Sequence, residues 1–230
     1  MQIPQMFDQY YLLLVVPTML LSMGAQFMVK STFNKYSKIL CSRSITGVDA
    51  AALLLKSNNI NDVQLEAVGG QLTDHYSPKD KKLRLSEPVY GSTSIAAVGV
   101  AAHEAGHAIQ HATRWGPLVL RGTLVPVANI GSRFGPMLAV AGLFLSFPIL
   151  INAGIFLFSG AVLFYLITLP VEFNASNRAI AILRSNNVLS EDELKGVKRV
   201  LTAAALTYIA SALTAIANLI RLVLLSKRRR

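Results

Sequence analysis

The chain has 230 residues, 53% of them hydrophobic and only 15% charged, with a formal net charge of +10. That balance excludes an ordinary water-soluble domain, and a single cysteine excludes an intrachain disulfide and a cysteine-built metal site. Much of the basic charge flanks apolar blocks, at Lys30, Lys35, Lys38 and Arg43 and in Lys227 to Arg230. Such flanks contact lipid head groups and set orientation, and no aromatic residues interleave with base-reading side chains in a recognition pattern, so no nucleic-acid partner is expected.

In chain order, Tyr10 to Val29 is apolar for about one bilayer width, which predicts a first transmembrane helix within 1–30. No basic residue precedes it, which argues against a cleaved signal peptide. The segment 31–116 is the only one polar enough to fold in water. Thr46 followed by Gly-Val-Asp and helix formers predicts a helix over 47–57. Val63 to Val68 alternates as a half-buried strand would. Gln71 to Tyr76 and Lys82 to Ser86 flank Pro78 as a hairpin. Residues 117–136 mix apolar residues with Arg121, Asn129 and Arg133, and either begin the second span or lie along the interface. Met137 to Pro170 is too long for one span, and Pro148 with Asn152-Ala-Gly154 divides it, which predicts a helical hairpin over 117–169. Pro170 suits the first turn of a new helix within 170–200, and Leu201 to Leu225 supplies the last span of 201–230.

The residues His103-Glu104-Ala105-Gly106-His107 carry the chemistry. Histidines four apart on a helix share one face, so both imidazoles can reach one ion. The glutamate beside the first is suited to take a proton from water next to that ion. At this chain's own frequencies of His and Glu, the pattern arises by chance in roughly one of several hundred such sequences. The plainer reading is a helix whose histidines only pack, which is costly for buried imidazoles without a cation.

A catalytic zinc takes three protein ligands and keeps one position open. His111 shares the helical stripe, but three ligands on successive turns span about 12 Å of axis, too far to converge. It reads instead as an interfacial or orienting residue. Glu172 is the better third ligand, because its carboxylate directly follows an apolar span where an unpaired charge is unwelcome. A glutamate stabilised by a helix N-terminus is its plainer reading. Ser176 falls one turn beyond Glu172.

These residues carry a family resemblance over nearly the whole chain. Leu72-Thr-Asp-His-Tyr, Leu83-Arg-Leu-Ser-Glu, Val98 to Gln110, Leu124-Val-Pro-Val-Ala-Asn and Leu169-Pro-Val-Glu-Phe-Asn-Ala-Ser resemble the YugP-type membrane zinc metallopeptidases. More distantly they resemble HtpX-like and CAAX-prenyl-protease-like gluzincins. The resemblance implies that His103, His107 and Glu172 bind one zinc ion and that Glu104 is the general base. The broader pattern Glu-x-x-Ala-Asp is met by Glu172 and Ala175, with Ser176 in place of Asp; Asn174 or Asn177 then orients the site instead.

Together these readings predict a mainly α integral membrane protein of about four transmembrane helices. A small α+β zincin-like catalytic unit lies between the first and second spans. The expected activity is zinc-dependent endopeptidase hydrolysis in a multi-pass protein of the cell membrane. His75, Tyr76 and Arg178 are candidate substrate or oxyanion contacts, while Ser176 and Asn174 sit behind the ligands and orient them. The expected partners are the lipid bilayer and a peptide or membrane-protein substrate, which the hairpin edge is able to take as an added strand. Basic residues around 30–43 and 178–199 place the catalytic unit in the cytoplasm. Lys227 to Arg230 conflict with that side if 201–225 crosses fully: either that helix lies partly in the interface or the orientation is reversed. Two rivals remain, a zinc-binding scaffold without activity and a transporter component suggested by Asn129, Arg133, Asn152 and Asn218.

Overall fold

The structure, a computed structural model, describes residues 8–227. The first seven residues and Arg228–Arg230, to which the charge argument also appeals, lie outside the described residues. Helix α1 runs Tyr11–Tyr36, more widely wound over Tyr11–Val15. Next come α2 (Gly47–Ser57), β1 (Gln64–Val68), β2 (His75–Ser77), β3 (Lys82–Ser86) and the single turn α3 (Glu87–Tyr90). Four helices complete the described chain: α4 (Ile95–Ala112), α5 (Gly116–Leu145), α6 (Pro148–Ser185) and α7 (Glu191–Lys227). Among the described residues, α1, α5, α6 and α7 are long and apolar enough to cross a membrane.

Contacts divide the chain into two units. One contains 8–26, Val119–Leu169 and 206–227. Within it α1 lies along α7: the Ser22 and Thr214 hydroxyls are 3.2 Å apart, and Thr214 donates to the Thr18 carbonyl at 3.3 Å. Asp8 meets Arg221 at 2.7 Å, with both side chains largely buried, and the Arg221 guanidinium lies over the Tyr11 ring. The hairpin of α5 and α6 turns at Ser146, and the Phe147 amide closes it onto the Gly142 carbonyl. Small residues let the two backbones approach closely: a Cβ at Gly135 would stand 2.8 Å from that of Phe158.

The other unit contains Phe27–Leu118 and Pro170–Ala205. Its core joins Leu54 of α2, Leu83 and Leu85 of β3, Val98 and Ile109 of α4, Leu183 of α6 and Val197 of α7. The sheet order is β1-β3-β2, with β1 parallel and β2 antiparallel to β3. Leu83 and Leu85 fill its buried face, while Glu66 binds Lys82 and Arg84 on the other. Thr46 and Asp49 form the reciprocal cap that starts α2 at Gly47. Ser94 caps α4, whose start is also stitched to the strand-like stretch after α1 by Cys41–Thr93 and Ile95–Ile39 backbone bonds. Cys41 is buried.

Of the two readings of 117–136, the one that begins the second span holds: the segment belongs wholly to α5, despite Pro126 and Pro136. Two boundaries differ from the sequence reading. Helix α6 starts at Pro148, runs unbroken through Asn152–Gly154, and continues past Pro170 to Ser185. Proline at 170 therefore opens no new helix: the apolar span and the segment bearing Glu172 belong to one continuous helix, and 170–200 contains the end of α6 and the start of α7. The hairpin strand is also shorter than Gln71 to Tyr76, because the Asp74 carboxylate is turned to the amide and hydroxyl of Ser86. Of the polar residues behind the transporter alternative, Asn129, Arg133 and Asn152 are exposed, and Asn218 donates to Thr214 of its own helix.

Candidate metal centre

Helix α4 is alanine-rich and almost wholly buried, so the side chains that break its apolar pattern stand out: His103, Glu104, His107 and Gln110. His103 and His107, one turn apart, set their rings 4.7 Å apart and nearly perpendicular. Glu172 of α6 is 2% exposed and closes the group. Its Oε2 lies 3.2 Å from His103 Nε2 and 3.5 Å from His107 Nε2. The three ligand atoms fall within 4.8 Å of one another.

Helix contact makes this convergence possible. Gly106 faces the backbone of α6, and a Cβ there would meet the Ala175 carbonyl oxygen at 2.6 Å. The glycine of the His-Glu-Ala-Gly-His run is thus a close-approach residue that lets Glu172 reach the imidazoles.

The far side of each ring is held. His103 Nδ1 pairs with the Ser176 hydroxyl at 3.1 Å. His107 Nδ1 faces Gln110 Oε1 at 3.0 Å. Gln110 Nε2 donates to the Val171 carbonyl at 2.9 Å and to Asn174 Oδ1 at 3.0 Å. Asn174 Oδ1 accepts from Arg178 Nε as well, at 2.8 Å. Gln110 is the participant that sequence reasoning missed; its signal is a glutamine three residues after a histidine on the same apolar helix.

Glu104 is nearly buried, and its Oε2 accepts the Tyr76 amide of β2 at 3.0 Å. The Tyr76 hydroxyl lies 2.8 Å from His111 Nδ1, so His111 belongs to this strand contact and not to the ligand group. Burial, helped by the charge of Asp62, pushes the Tyr76 phenol up to about 12. His75 points to Thr73 and approaches Arg84, on the exposed side of the sheet. Asn177 is exposed.

The donors fit zinc. Two imidazole nitrogens and one carboxylate oxygen, each imidazole braced from behind, make a three-ligand set of the catalytic kind. The field agrees. Burial opposes charge on His107, yet the Glu172 carboxylate hydrogen-bonded to it and the nearby Glu104 leave its pKa raised.

Residues 11–227 match the family described as "Putative neutral zinc metallopeptidase". The chain belongs to that family. It is also 49% identical over 215 residues to the "Putative membrane protease YugP" of Bacillus subtilis (strain 168), covering 94% of this chain and 96% of that relative. No solved structure matches. The resemblance read from the motifs is thereby shown, and with it the class of zinc metallopeptidase relatives to which the His103–His107–Glu172 group is suited.

Proposed function

We propose that this protein is a multi-pass endopeptidase of the cell membrane that hydrolyses peptide bonds with one zinc ion held by His103, His107 and Glu172. The observation that carries the proposal is the meeting of these three ligand atoms beside a carboxylate, Glu104, that the backbone of β2 holds in place. A zinc ion bound there supplies Lewis acidity to the scissile carbonyl and lowers the pKa of water toward neutrality.

The chain's own groups do the rest. Glu104 keeps Oε2 on the Tyr76 amide, which leaves Oε1 to take a proton from the attacking water and return it to the leaving amine. The carbonyl oxygen gains negative charge and needs a donor. Of His75, Tyr76 and Arg178, Tyr76 alone also touches Glu104, through its backbone amide; its hydroxyl, which lies against His111, stays protonated far above neutrality. Arg178 acts through Asn174, and His75 through the sheet. Ser176 and Asn174 brace the ligand group from behind. The substrate is a peptide or a membrane protein. Strand β2 is three residues long and has given its Tyr76 amide to Glu104, so a substrate strand pairs around that point and not along a full ladder.

Orientation follows from the chain ends. Asp8 beside Arg221 puts the start of α1 level with the end of α7. A full crossing by α7 then leaves Lys227 on the side of Asp8, against the larger basic group formed by Lys30, Lys35, Lys38, Arg43, Lys195, Lys198 and Arg199. The larger group takes the cytoplasm, and the catalytic unit with it.

The test uses the full chain in detergent, with metal content measured beside cleavage of a peptide library. Zinc near one per chain, with cleavage lost to a chelator and restored by zinc, is the expected result. Glu104→Gln retains zinc and loses at least about 100-fold in kcat. Zinc without cleavage supports the scaffold; absence of zinc leaves the transporter; normal cleavage by Glu104→Gln removes the assigned base.

A further inference from the structure

Gln110 is fully buried, and a buried primary amide is tolerated only when both its ends are paired. The Val171 carbonyl, 2.9 Å away, can only accept, so the amide nitrogen must face it. That fixes the amide orientation and leaves Oε1, a pure acceptor, against His107 Nδ1 at 3.0 Å. The nitrogen opposite an acceptor must carry hydrogen. His107 therefore holds its proton on Nδ1, and in the neutral ring the lone pair sits on Nε2, on the side of His103 and Glu172.

We propose that Gln110 is the positioning residue of the metal centre. It locks His107 in the Nδ1–H tautomer and ties α4 to the backbone carbonyl directly before Glu172, so ligands from two helices are presented as one preformed set. The far end is anchored as well, since Asn174 accepts from both Gln110 and Arg178. The role as a metal-centre residue rests on the zinc reading above. The tautomer does not, because it follows from the protein's own donors and acceptors.

Two measurements separate these. The full chain, labelled with nitrogen-15 at its four histidines, stripped of metal and held at a pH where the His107 ring is neutral, reports the tautomer of His107 through its ring nitrogen shifts. Competition with a chromogenic chelator reports affinity for zinc alone. In the parent chain His107 shows a protonated Nδ1. Gln110→Met keeps the length of the side chain and removes both its donor and its acceptor. It abolishes that preference and weakens zinc binding by about 10- to 100-fold. Gln110→Glu restores only the acceptor and keeps the Nδ1–H tautomer; it carries the test if the methionine variant does not fold. Arg178→Met leaves the tautomer unchanged, because the Val171 bond still fixes the amide. A proton on Nε2 of His107 in the parent chain, loss of the Nδ1–H tautomer in Gln110→Glu, or unaltered zinc affinity in Gln110→Met overturns the proposal. A parent chain that shows the Nδ1–H tautomer but binds no zinc upholds the tautomer lock and sinks the zinc reading instead.

Discussion

The grouping of His103 with His107 was legible because a helix repeats every 3.6 residues and residues four apart share one face. Glu172 was legible from an anomaly of a different kind, a lone carboxylate at the end of an apolar run. Gln110 was not legible, since its role depends on the Val171 carbonyl, a partner 61 residues away that only the packing of α6 on α4 supplies. The roles are separable by substitution. Glu172→Ala removes one of the three proposed ligands and is expected to reduce bound zinc to background in metal analysis of the purified chain, while Glu104→Gln is not. Tyr76→Phe keeps the amide that holds Glu104 and deletes only the hydroxyl. It is expected to lower kcat by about 100-fold with zinc content unchanged, as loss of an oxyanion donor does. An equal rise in KM with kcat intact would assign that hydroxyl to substrate binding alone.

At the scale of elements, the start of α2 was readable because Thr46 is a capping residue ahead of helix formers, a local signal that needs no tertiary partner, and in the fold it forms a capping box with Asp49. Proline misled at position 170. Its ring forbids one backbone hydrogen bond, yet α6 is buried on both sides of it, at Thr168 before and Val171 after, and tertiary packing outweighs the local penalty. The short strand β2 was overextended because Asp74 satisfies Ser86 instead of prolonging the ladder. The contact of α4 with α6 has its own test. Gly106→Val adds a branched side chain where even a Cβ meets the Ala175 carbonyl. The helices must separate, so zinc affinity falls below measurable competition while α4 itself, judged by circular dichroism, persists. Gly116→Ala, where nothing lies within 4 Å, is the matched control.

Across the whole molecule, composition gave the membrane class and the number of apolar helices, whereas the pairing of α1 with α7 was invisible, because Asp8 and Arg221 lie 213 residues apart and share no pattern. Both side chains are nearly buried, 12% and 14% exposed. Asp8→Asn or Arg221→Leu alone removes the counter-charge of the other and should lower the thermal melting temperature of the detergent-purified chain. The double replacement should recover much of that loss, and a double variant as unstable as either single one would show that the pair is not what the charges answer to. The same ion pair sets an order of events during synthesis. A ribosome makes α1 long before α7, so the aspartate waits without its arginine until the final helix emerges. Truncation just short of position 221 would then release a protein whose Asp8 keeps the Tyr11 amide but lacks its counter-charge, a flaw that membrane quality control can recognise.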